Sequence, residues 1–509
     1  MPSGWLFPAE PFVPPGAERP NSAAMTRGIV TAYLLLLALC MAGVFYASWG
    51  MDALREHPFL IGWSFGLLGL LSLFVNPLLL FASVLGYLPY YAAGPQVEVG
   101  IITFNPYSIG LLLFASIGML RLFFLSYTLT LNFTDLMLCG LAVVLFQGTL
   151  RSSVPVDTGF IAFNFFFLPV LAFYALRVYV TDEDSYRRVV RILILGLVIF
   201  AVLAVLSFLQ TGERARALDV PPIGTATMMV LSMSLILGSG VVTFRPLRIA
   251  LTLICLAAMI LTFSRVFIII LLVSPFCYIL IRRGKTTTLF LTFFVTSLIV
   301  TMLLIVYARV LQPDKTIFNR EQERSEQRLT NADNWMMSLY GRIGQYSAGL
   351  DNFLEHPFFG VGLYRGKKVI TQHNFHMEWL EYSGAMGYIF YFLFLISHAV
   401  RMKDLAQEDI PIRWQLLANL MVLNNCLFNG IIHGYMPHVV YILMGLTEAR
   451  ATYLLRQKRL AQDEARDNPD PAPVAVAVPL AASASNEERE PARNRISGDE
   501  LYDRYFGTR

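Results

Sequence analysis

GRIGQYSAGLDNFLEHPFFGVGLYRGKKVITQHNFHMEWLEYSGAMG, residues 341–387, is the stretch on which the fold turns. It gathers arginines, histidines and carboxylates between two apolar segments, and its last third leads back into an apolar helix. A polar insert of this kind belongs to a membrane protein with one large loop outside the bilayer.

The rest of the chain agrees with that reading. Its 509 residues are 56% hydrophobic and only 15% charged, and the mean hydropathy of +0.57 is too high for a soluble core. The apolar residues come in runs of about 17 to 24, the length a helix needs to cross a hydrocarbon layer of roughly 30 Å. Alternating strands of about ten residues, the pattern of an outer-membrane barrel, are absent. The expected fold is all-α, a polytopic helical bundle of about 12–14 crossings with amphipathic helices in its one large loop. Cys40, Cys139, Cys255, Cys277 and Cys426 all lie in apolar runs and read as small core residues, not as a disulfide framework. A net charge of +4, scattered through short loops, is no footprint for nucleic acid.

Residues 1–27 are rich in proline and polar residues and read as a disordered tail. The first apolar run, 29–49, lies behind Arg27 and reads as an uncleaved helix with its N-terminus inside. The run 59–93 divides in two at Asn76-Pro77. Further spans are expected at 107–130, 134–150, 160–180, 189–210, 223–242, 248–263, 266–281, 286–307, 375–400, 415–429 and 435–455. The domains are then a bundle over 28–307, an outer insert over 308–374, C-terminal helices over 375–456 and a disordered cytoplasmic extension over 457–509. Alternation from an inside N-terminus places the clusters Arg187/Arg188/Arg191, Arg245/Arg248, Arg282/Arg283/Lys285 and Arg401/Lys403 on the cytoplasmic side, as the positive-inside rule requires.

The same topology leaves Arg151, Arg214, Arg216 and Arg265 on the outer side, where short loops normally lack cations. Arg265, in LTFSRVFIII, has apolar residues on both sides. A cation costs roughly 2.5 to 3.5 kcal/mol at the bilayer centre and less near an interface. It either snorkels to lipid phosphates or forms a fixed anion site. Arg214 and Arg216, in TGERARALDVPPIG, either mark a solvated loop with Glu213 as partner or join that site. Guanidinium groups bind phosphate oxygens through planar paired hydrogen bonds, so several converging from different loops would suit a diphosphate.

Within the insert, 319–330 is charged on every face. Trp335, Leu339, Ile343, Tyr346, Leu350 and Leu354 then recur at helical spacing, with Arg342, Gln345 and Asp351 on the other face. Pro357 ends that helix, and Gly360 and Gly362 permit turns. His373 is the candidate base, since an imidazole accepts a proton near neutral pH. Its other reading is an interfacial histidine beside an N-cap formed by Asn374. His376 is either a second polar contact or packed. His373, His376, His433 and His438, with Glu378 and Glu381 nearby, lack HExxH spacing and come from separate segments, so no metal is expected.

The motifs LTFSR ending at Arg265, the loop of Arg214 and Arg216, the helix from Gly341-Arg342, EHPFFGVG at 355–362 and His373-Asn374 before WLEYSGAMG recur together over residues 210–395. In this combination the chain resembles the bacterial O-antigen ligase and O-antigen (exopolysaccharide) polymerase superfamily. The resemblance implies a GT-C-like glycosyltransferase of the inner membrane, with cytoplasmic termini and a periplasmic active site. It implies transfer of a glycan from an undecaprenyl-diphosphate carrier to an acceptor hydroxyl, without metal or other cofactor, beside partners in a polysaccharide assembly system. Carried over by position, Arg265 and one of Arg214 or Arg216 hold the diphosphate, Arg342 assists, and His373 activates the acceptor. Arg151, Asn374 and His376 become substrate contacts. The segment at Thr225 departs from the NPN that many members show there. Polymerisation onto a second lipid-linked glycan is expected before ligation to lipid A core, because the insert is nearly balanced in charge. A lipid-linked glycan transporter is the rival from another class, but it calls for inverted repeats and ionisable groups at the midplane.

Overall fold

Where the long apolar runs fall in described residues they are helices, because a backbone in hydrocarbon must satisfy its own hydrogen bonds. The structure, a computed structural model, describes residues 77–90, 97–99, 102–105, 107–112, 114, 131–152, 155–217, 220–311, 332–362, 364–365, 368–369, 373–430 and 436–467. Residues from Phe81 on form one compact unit, Phe81–Arg509, and of the unit Met1–Leu80 only 77–80 are described. The expected spans at 29–49 and 59–76, most of 107–130 and the charged run 319–330 lie outside the described residues.

In chain order the helices are α1 (Pro77–Gly86), α2 (Phe133–Arg151), α3 (Pro155–Ala162), α4 (Leu168–Tyr179), α5 (Glu183–Thr211), α6 (Pro222–Gly238) and α7 (Arg245–Leu261). They continue as α8 (Arg265–Arg282), α9 (Thr286–Leu311), α10 (Ala332–Glu355), α11 (Phe375–Met402), α12 (Leu405–Glu408), α13 (Ile410–Asn429) and α14 (Met436–Asp467). A π-helical turn, Phe163–Phe167, joins α3 to α4. Two short antiparallel hairpins pair Val97 with Phe104 and Tyr364 with Val369. Among the described residues four segments are long and apolar enough to cross a membrane: α2, α5, Thr286–Val306 and α11. Shorter apolar helical segments run over Phe163–Tyr179, Pro222–Gly238 and Leu271–Arg282. The protein is an all-α polytopic membrane bundle.

Local sequence sets the ends. Helix α5 starts at a capping box in which Asp182 accepts from the Ser185 amide at 2.7 Å, and it stops at Gly212, whose φ of 67° is left-handed. Large apolar side chains on α7 to α9, among them Leu253, Leu272, Phe276 and Leu303, are exposed and suit a lipid-facing wall. Helix α14 runs to Asp467, past Arg456, where the sequence reading begins a disordered extension. The segment RQKRLAQDEARD is dense in strong helix formers and propagates the helix beyond the apolar run.

Helix α11, expected as one continuous span, is broken at Gly384 (φ 63°, ψ −168°). The loop after α10 fills the break. The amides of Val361 and Gly362 donate to the carbonyls of Glu381 and Tyr382 at 2.8 and 3.1 Å, and those of Ala385 and Met386 donate to Pro357 and Phe358 at 2.8 and 3.2 Å. Approach this close excludes side chains: a Cβ on Gly384 would lie 2.4 Å from the Phe358 carbonyl carbon, and one on Gly360 would lie 2.4 Å from the Glu381 oxygen.

Two clusters of buried charge are paired. Arg177 of α4 grips Asp135 of α2 through two nitrogens, and the Tyr174 hydroxyl donates to the same carboxylate at 3.0 Å. Glu448 of α14, fully buried, takes His398 Nδ1 and Arg401 Nη1 of α11, each at 3.0 Å. The sequence reading counts Arg401 among the cytoplasmic loop cations, but its residue is only 7% exposed. A partner carboxylate on a neighbouring helix lets it sit inside.

Two substitutions test this frame. Glu448→Gln leaves Arg401 buried without its counter-charge and should cost about 3 to 5 kcal/mol, read as a lower unfolding midpoint in detergent. Gly384→Ala meets both a left-handed φ and the Phe358 backbone, and should destabilise by about 2 kcal/mol or more in the same assay. A wild-type midpoint in either variant would show that the corresponding contact carries no such weight.

Candidate active site

The tight turn between α7 and α8, Thr262–Ser264, is the first half of the candidate site. Phe263 adopts a left-handed φ of 49°, and the Thr262 hydroxyl donates to the Met259 carbonyl at 2.6 Å. The loop after α5 is fastened to this turn: the Ala215 amide donates to the Leu261 carbonyl and Arg214 Nε to the Thr262 carbonyl, both at 2.8 Å. Arg214 is thereby fixed three residues from Arg265, the first residue of α8. Ser264 caps that helix without a side-chain hydrogen bond. A helix start carries unsatisfied amides and the positive end of the dipole, and with a fixed guanidinium beside it the turn is suited to an anion. Arg216 behaves differently, being exposed and 3.4 Å from Glu213.

The second half is the start of α11. Asn374, 3% exposed, caps the helix: its Oδ1 accepts from the amides of His376 and Met377 at 3.0 and 3.2 Å. Its Nδ2 donates to Thr301 Oγ1 on α9 at 3.1 Å and to the Leu427 carbonyl on α13 at 3.0 Å. These four bonds make Asn374 a structural clamp. His376 is fully buried, with Nε2 2.7 Å from the Ser297 hydroxyl and Nδ1 2.8 Å from that of Tyr388. Both nitrogens are engaged, and the ring packs on Phe375 at 3.8 Å, so its geometry is that of a packed residue.

His373 is partly exposed and stands just ahead of this cap with φ 50°, a left-handed value that costs a branched-out side chain about 1 to 3 kcal/mol. Helix α10 packs over it. The Tyr346 hydroxyl donates to the His373 carbonyl at 3.3 Å and also interacts with the Asn374 side chain. Burial pushes the Tyr346 phenol up to about 12, against the opposing pull of Arg342 one turn away, so it remains a neutral donor at working pH. Arg342 is thus brought to the same end of α11. Arg151 lies elsewhere, exposed and over the Phe359 ring at 5.1 Å.

A cavity of about 470 Å³ borders the second half. Its walls are apolar side chains of α8, α9 and α13, including Val273, Phe293, Leu304 and Leu420, and Tyr346 and Asn374 border it. Glu378 and Glu381, one and two turns into α11, are fully buried. Asn352 of α10 donates to the Glu381 carboxylate, and the Glu378 carboxylate occupies the space where a Cβ on Gly430 would fall. The sequence reading weighs these two carboxylates only as neighbours of a metal site; their i, i+3 spacing in an apolar helix is the signal that could have found this buried polar seam. Among the described residues no group of three His, Cys, Asp or Glu side chains is placed to hold a metal.

Residues 250–395 match the family model described as O-antigen ligase, a segment that begins in α7 and ends within α11. It includes the α7–α8 turn, α10, the loop that fills the α11 break, and His373. No curated protein and no solved structure matches the chain. Over this segment the chain is similar to the O-antigen ligase family.

Proposed function

We propose that the protein transfers a glycan from an undecaprenyl-diphosphate carrier to an acceptor hydroxyl at the periplasmic face of the inner membrane. The observation that carries this reading is the placement of an anion-suited helix start, at Arg214 and Arg265, on the same helix that walls an apolar cavity reaching Asn374. A diphosphate head with a long hydrocarbon tail has that polarity.

In this reading Arg214 and Arg265 bind the diphosphate, with Arg342 nearer the acceptor side. His373 takes the proton of the acceptor hydroxyl as its oxygen bonds to the anomeric carbon, and the bond from that carbon to the diphosphate oxygen breaks. The departing charge is stabilised by the arginines and the α8 dipole, which supply what a general acid or metal would otherwise supply. The acceptor is a second lipid-linked glycan, so the product is a longer chain. The matched family description favours a second reading, ligation to lipid A core, which the identity of the product separates from the first.

Transfer assayed with purified donor in detergent tests this. Arg214→Ala and Arg265→Ala should each lower kcat/KM roughly a hundredfold or more, and His373→Ala should lower kcat by a similar factor or beyond. Arg216→Ala should stay within about twofold of wild type, since exposed pairs contribute little. EDTA should leave the rate unchanged. Normal rates in the Arg265 and His373 variants would refute the site.

A further inference from the structure

We infer that Tyr346 is a positioning residue that holds His373 in its working conformation; this rests on the reading of His373 as the base. The case begins with the backbone. His373 is a non-glycine residue at φ 50°, and it is not part of a tight turn closed by glycine. Such a conformation persists only where the surroundings hold it, and it recurs where a side chain must be aimed. Grips on either side hold this one. On the C-terminal side Asn374 is tied to the amides of α11, to Thr301 of α9 and to the Leu427 carbonyl of α13. On the other, the His373 carbonyl accepts from the Tyr346 hydroxyl, reaching across from α10.

Tyr346 is 2% exposed and packs with Ile305, Met377 and Leu380, so its ring is fixed before its hydroxyl acts. It also borders the apolar cavity. Removing the hydroxyl while keeping the ring leaves the packing and takes this donor away from the carbonyl. The peptide then relaxes toward negative φ, and the Cα–Cβ direction of His373 turns with it. A loss of alignment of that kind lowers turnover without changing the groups that bind the donor.

The experiment is a double-mutant cycle on glycan transfer with wild type, Tyr346→Phe, His373→Ala and the double variant. Tyr346→Phe should lower kcat roughly tenfold with KM for the donor within about twofold, and should change the residual rate by less than about twofold once His373 is alanine. A wild-type kcat in Tyr346→Phe overturns the inference while leaving His373 as base, and so does an equal loss in both backgrounds. A wild-type rate in His373→Ala removes the base itself, and the inference with it. Amide hydrogen exchange across residues 373–377 reads the same device without turnover: it should quicken several-fold in Tyr346→Phe, and unchanged exchange contradicts the proposal.

Discussion

Backbone groups inside an apolar bundle have no water to fall back on, and the break in α11 at Gly384 is where that constraint bears hardest. Opening a helix there exposes carbonyls and amides on both sides of the gap. The loop after α10 supplies complementary groups, two amides into the carbonyls before the break and two carbonyls for the amides after it. Gly360 and Gly384 make the approach possible because neither has a side chain to keep the strands of backbone apart. The consequence reaches the site. Helix α10 cannot move independently of α11, so Tyr346 stays over His373, and the Asn352 amide stays on Glu381.

The fastening of Arg214 follows the same logic on a smaller scale. A guanidinium at the end of an apolar hairpin is costly if it wanders and useful if it is fixed, and the Thr262 carbonyl fixes it beside the start of α8. Fixed cations and a helix dipole need no reorganisation when charge develops, which is the property electrostatic catalysis requires. Elsewhere in the bundle the buried carboxylates of α2 and α14 do a different task. Asp135 holds Arg177 between α2 and α4, and Glu448 holds Arg401 and hydrogen-bonds His398 between α14 and α11, so α11 is anchored at both ends.

Much of this was legible in the sequence. Apolar run lengths announced the spans, and steps of three and four announced α10 and placed Tyr346 on its apolar face. Periodicity reports a face, however, and not the partner that a hydroxyl on that face will meet. The α11 break escaped because one glycine in a long apolar run is compatible with a continuous helix; only the distant loop 356–362 makes the interruption tolerable. Arg214 and Arg216 were indistinguishable by spacing, and separate only through the fold, one reaching Thr262 and the other Glu213. Arg401 looked like a loop cation because its counter-charge, Glu448, lies 47 positions away in sequence. Asn374 was read correctly as a cap in one of its two readings, because the local rule for helix starts needs no tertiary information.

The central claim is that one amphiphilic donor lies with its diphosphate at the α8 start and its hydrocarbon in the cavity walled further along α8. Photo-crosslinking with labelled undecaprenyl diphosphate tests it most directly, using a photoreactive side chain at Phe293 on the cavity wall and, as control, at Leu253 on the exposed face of α7. The account predicts strong labelling from position 293, weak labelling from 253, and loss of the former when Arg214 is replaced by alanine. Equal labelling at both positions, or labelling at 293 that is indifferent to Arg214, would contradict it.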